Sequence, residues 1–167
     1  MHIRYLKLLF VLLLSAMALV YVLQNFANLE QAHASVAYVM SGTGHEAYPS
    51  SFGPKPESAL LAWFAVAAIC LLELSCGLVM AKGAWDIWRA RRADTDTFQA
   101  SLKWAQIGCG LGIAVWFGLF GVIGAAFFQM WQTAVGSGSM NGAFQFTVYF
   151  TAALIFLNQP ETTDPTQ

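Results

Sequence analysis

Four long apolar runs divide this chain: Leu8 to Leu23, Ala59 to Ala81, Ala105 to Phe128 and Gly142 to Leu157. A bilayer hydrocarbon core of ~30 Å is crossed by roughly 20 helical residues. No water is available there to satisfy exposed backbone amides, so a single-chain run of this kind must be helical. The two middle runs exceed the required length. The outer two are shorter, and Tyr5, Lys7 and Gln159 extend them by seating at the interface or snorkelling. Only 10% of the 167 residues are charged, against about 25% in an average soluble domain. The expectation is an all-α, four-helix transmembrane bundle, one integral membrane domain over 1–167 with spans at about 5–24, 58–82, 104–130 and 142–159.

Arg4 and Lys7 ahead of the first run, with Ala32-His33-Ala34 downstream, resemble a secretory signal. The apolar run ends near Leu23, too far from that small-residue motif, so the first helix is expected to be retained. Basic residues beside helix ends stay cytoplasmic. Arg4 and Lys7 precede the first helix, and Lys82, Arg89, Arg91, Arg92 and Lys103 lie between the second and third, leaving Lys55 as the exception. Both termini are therefore placed in the cytoplasm, with the protein a multi-pass component of the bacterial inner membrane. Trp85, Trp88 and Trp104 fit an inner aromatic belt, and Tyr21, Trp63 and Trp131 an outer one.

The first outer segment, Asn25 to Ser58, carries Leu29, Ala32, Val36, Val39 and Met40 at helical spacing, which predicts a short surface helix before a Gly/Pro/Ser-rich stretch. On the inner side the second helix is expected to run to about Arg92. Arg89, Arg91 and Arg92 would then complement its C-terminal dipole and contact anionic lipid headgroups. Asp96 and Gln99 resemble a capping box for the third helix.

Glu73 stands near the centre of the second run, where a charge costs on the order of 3 kcal/mol. It is expected to face the bundle as an uncharged carboxyl hydrogen-bonded to Gln106, Gln145 or a backbone carbonyl. As a functional group it would be a proton station or ion-path carboxylate, and as a structural one an interhelical bond. The third run carries Gly108 and Gly112 on one small face and Gly110, Ala114, Gly118, Gly121 and Ala125 on another, a pattern for close packing within the chain or against another subunit. Phe127 is expected to face lipid.

Cys70, Cys76 and Cys109 all lie in apolar runs, where a thiol acts as a small hydrophobe, and none is assigned redox chemistry. His33, His45 and Glu46 have no metal-site spacing, and the histidines fall outside the spans, which disfavours membrane haem. No cofactor, metal or catalytic residue is assigned, and no basic stripe suggests nucleic acid.

Asn25-Phe26-Ala27-Asn28, His33 with Tyr38-Val39-Met40-Ser41, Glu73, Gly83-Ala84-Trp85, Trp88-Arg89-Ala90-Arg91, Phe98, Trp116-Phe117-Gly118, Phe128 to Gln132 and Asn141 to Phe146 follow one another in an order that resembles the small integral membrane proteins of domain-of-unknown-function family 2165. The resemblance covers most of the chain and implies a four-helix bacterial membrane protein without a known activity.

Together these features suggest a non-catalytic accessory or scaffold subunit whose partners are lipids and other membrane subunits or further copies of itself. The host complex would be an assembly such as a respiratory oxidoreductase. The alternatives are a small solute or proton transporter or channel using Glu73, and a quinone-binding or other membrane enzyme. A reporter fused at Gln31 should read as outside and one fused at Thr95 as cytoplasmic. An outside signal at Thr95 would invert the topology.

Overall fold

The computed structural model describes residues 2–160, and among them there are helices and no strands. The elements in order are α1 (His2–Ala27), α2 (Leu29–Ser41), α3 (Ala59–Ala90), α4 (Thr95–Ser101), α5 (Lys103–Ile113) with its π-helical continuation Ala114–Phe127, a 3₁₀ turn (Met130–Gln132) and α6 (Ala134–Leu157). Four helical units are long and apolar enough to cross a membrane: α1, α3, the composite Thr95–Phe127 and α6.

The start of α1 meets the end of α6. Lys7 is buried on α1, and its Nζ donates to the carbonyls of Leu157 at 2.9 Å and Gln159 at 2.8 Å, a cation seated at the C-terminal dipole of α6. Arg4 donates to the Ala93 carbonyl at 2.6 Å and lies over the Phe98 ring at 4.3 Å. The α3–α4 connection therefore shares this end of the bundle, the termini end, with the start of α1 and the end of α6.

Close packing at the termini end depends on glycine. A Cβ on Gly83 would stand 2.5 Å from the backbone nitrogen of Ala105, and one on Gly108 would press on Met80. Gly112 is closed by Phe150 of α6, whose ring stacks on Trp116 at 5.0 Å. Between α1 and α3, Gly77 admits Leu19, and Ser15 Oγ donates to the Gly77 carbonyl at 2.8 Å. Cys76 adds a weak thiol bond to the Gly108 carbonyl at 3.4 Å. These contacts supply the dispersion and interhelical bonding that hold helices together in lipid.

Several boundaries differ from the sequence expectation. The fourth helix begins at Ala134, well before the apolar run, because Thr133 Oγ1 caps it by accepting from the Gly136 amide at 3.1 Å. Gly136 lies against the Met130 carbonyl and so serves packing in the first turn of this helix. Asp94, not Asp96, caps α4: its carboxylate accepts from the Thr97 amide at 2.9 Å and the Thr97 hydroxyl at 2.7 Å. These bonds, backbone first, hold the Asp94 carboxyl below its ordinary range. The second helix ends at Ala90, with Arg91 folded back over the Trp88 ring at 3.7 Å.

The third span changes geometry at Ala114, where the hydrogen bonds lengthen to the i→i+5 pattern seen in Phe128 N to Ile123 O at 2.9 Å. A stripe drawn at 3.6-residue spacing loses its phase there. Gly110 and Gly118 have nothing within 4 Å of an added Cβ, whereas Gly121 meets its own helix's Phe117. Past the end of the π segment the chain turns at Gln129, a non-glycine residue at φ 54°. Phe127 does not point freely into lipid, since it packs edge-on against Phe52, with ring centroids 5.4 Å apart, and closes over Gly53.

Gly83→Val should force α3 off α5 and destabilise the bundle by about 1–3 kcal/mol. Gly118→Leu should leave monomer stability unchanged. Unfolding of both variants in detergent checks the contrast, and equal stability of Gly83→Val and the parent would refute the packing account.

Candidate functional site

Glu73 sits ten residues from Trp63 and twelve from Trp85, about 15 and 18 Å along the axis, so it lies near mid-span on α3. It is buried, and Asn25 Nδ2 donates to its Oε2 at 2.8 Å. The pairing follows from side-chain direction. On a helix the Cα–Cβ bond tilts toward the N-terminus, so Glu73 leans toward the start of α3 while Asn25, near the end of antiparallel α1, leans back into the bundle. The two meet across positions that simple register would separate.

The expected partners are elsewhere. Gln106 Nε2 donates to Asn158 Oδ1 at 3.1 Å near the termini end, and Gln145 is exposed on α6. Asn25 takes the place proposed for them. It was read as the start of the outer loop, and the signal that could have found it is a polar side chain in the last turn of α1, on the helix that follows Val22 into the α1–α3 interface.

Beyond this pair, α3 and the third span no longer touch closely. Between them lies a cavity of about 460 Å³, lined on α3 between Ala65 and Cys70 except at Ala67, on the π segment by Leu119, Phe120, Ile123 and Gly124, and on α6 by Val135 and Ser139. Asn25 lines it too, which puts Glu73 directly behind its wall. Helix α2 forms the roof through Val36 and Val39, and Val36 packs with Val66 and Cys70.

The roof is fastened at both ends. His33 stacks on Trp63 at 4.3 Å, and its Nε2 lies 3.0 Å from the Ala59 carbonyl. At the other end Gly42, at φ 67°, closes α2 with its amide on the Val39 carbonyl at 3.2 Å. The segment beyond is held by Gln132, whose Oε1 accepts from the Tyr48 amide at 2.7 Å and whose Nε2 donates to the Tyr48 carbonyl at 3.2 Å. The role of Gln132 leaves no mark in the sequence, because its partner is backbone distant in the chain.

The remaining candidates are dispersed. Among the described residues no three His, Cys, Asp or Glu side chains converge as metal ligands. His45 sits in the loop beside Lys55, and burial first, then the lysine charge, lowers its pKa below the ordinary value. Arg89, in the last turn of α3, and Arg92, just past its end, are exposed.

The family profile of the predicted small integral membrane proteins, DUF2165, matches residues 3–160. The chain belongs to this family. No curated protein and no solved structure matches it. Within this DUF2165 member, Gly108 and Gly112 serve packing inside the chain, while Gly110 and Gly118 face outward with open backbone.

Glu73→Gln should fold as the parent does, since the amide oxygen still accepts from Asn25. Glu73→Leu should lose about 0.6–2 kcal/mol by leaving that donor unpaired. Stability and proton flux of both variants in liposomes check this. A Gln variant that folds normally but loses a flux shown by the parent would make Glu73 a proton station.

Proposed function

We propose that this protein is a non-catalytic helical subunit of a larger assembly in a bacterial inner membrane. The observation that supports the reading is the open backbone of the third span at Gly110 and Gly118, where an added Cβ would meet nothing, beside glycines that the chain itself closes tightly. Small residues on a lipid-facing helix admit a second helix at short distance, and dispersion then drives association. The polar groups inside the spans support it too. Ser15, Cys76, Lys7 and Glu73 are each bonded to a helix of the same chain, which ties them to packing.

The host assembly is recognised by co-migration. Gly118→Leu should weaken co-purification of the partner by about tenfold, the equivalent of 1.4 kcal/mol, without altering monomer stability. Mass spectrometry of mild-detergent complexes from parent and variant provides the measurement, and partner recovery unchanged by both Gly110→Leu and Gly118→Leu would reject this surface.

A further inference from the structure

The cavity beneath α2 is not explained by helix packing, and it goes beyond the subunit reading without depending on it. Its wall residues Ala68 on α3 and Ile123 on the π segment are exposed, Ile123 at 46%, so the cavity is open where these two spans face each other. Ala68 lies five residues past Trp63, roughly 7.5 Å along the helix and already inside the apolar run. The mouth therefore faces hydrocarbon, and what enters comes from the bilayer.

Size and shape restrict the occupant. The walls extend over Ala65 to Cys70, a rise of roughly 8 Å, and α2 closes the top. A spanning helix, about 10–12 Å across, does not fit beneath that roof. A volume of about 460 Å³ falls in the range that encloses small organic ligands, ~300–1,000 Å³. The polar side chains on the wall, Asn25, Ser35 and Ser139, are all uncharged. They match an occupant with an uncharged hydrogen-bonding group and would leave a phosphate or ammonium unsatisfied.

We propose that this cavity binds the chain of a neutral membrane lipid, entering laterally between α3 and the π segment, with its hydrogen-bonding end toward the Asn25 side chain. Two sources share this chemistry: a long-chain alcohol or acylglycerol, and an isoprenoid quinone.

The test uses the full-length protein in phosphatidylcholine nanodiscs with a diazirine-bearing palmityl alcohol as the probe. Photolabel should concentrate at Ala65, Val66, Ile69, Leu119, Phe120 and Ile123. Excess palmityl alcohol or decylubiquinone should compete it away, and whichever competes more strongly identifies the source. Ala65→Trp fills the cavity and should lower the label there by about tenfold. Ala68→Trp, at the exposed mouth, serves the same purpose if the first variant does not fold. Label spread evenly over lipid-facing positions such as Leu71 and Phe144, or cavity label unchanged by both competitors or by a folded tryptophan variant, would overturn the proposal. So would a second polypeptide cross-linked at the cavity in place of lipid.

Discussion

The approach of α3 to α5 at Gly83 governs the rest of the bundle. With backbone set against backbone there, and Met80 against Gly108 one turn on, the two helices are locked at the termini end. Close packing in lipid is gained through such dispersion contacts, since the surrounding chains are as apolar as leucine. Toward the other end Gly118 meets no neighbour, the third span widens into π geometry, and the helices separate. The cavity is the space this divergence leaves, and α2 is the element that covers it. Glu73 stands where the closed half gives way to the open one.

The four helical units were legible because bilayer thickness imposes length and composition together, a constraint that few side-chain details can override. Glu73 was legible for the same reason, as the carboxyl in the middle of an apolar run. Its partner was not, because Asn25 lies in the last turn of α1, where polar residues are ordinary, and reaches Glu73 only through the inclination of both side chains. The packing roles of Gly77 and Gly83 were not legible, because single glycines on a helix carry no periodic mark. Their role shows only when Leu19 and Ala105 are seen against them. The second glycine stripe does not pack within the chain at Gly110 or Gly118, and the α period assumed for it does not persist beyond Ala114.

Polar chemistry within the spans is used economically. Ser15 and Cys76 donate to carbonyls of neighbouring helices at Gly77 and Gly108, positions where the missing side chain leaves the carbonyl reachable. The same glycines thus provide the close approach and the acceptor. The Gln132 amide does comparable work outside the spans, substituting for a strand partner by meeting both the N–H and the C=O of Tyr48. It holds a Gly/Pro-rich segment that has little helix propensity of its own.

The seating of Lys7 has a consequence for biogenesis. Its carbonyl acceptors at Leu157 and Gln159 lie 150 and 152 residues away in sequence. The chain is made from the N-terminus, so the first helix enters the membrane long before the backbone that receives its ammonium exists. Until then Lys7 must remain in the headgroup region, and the inward settling of α1 waits for the last span. The accessibility of this amine to a water-soluble acylating reagent, followed on ribosome-stalled chains of increasing length, would time the closing of the bundle. Protection appearing before α6 is synthesised would show that α1 settles independently of it.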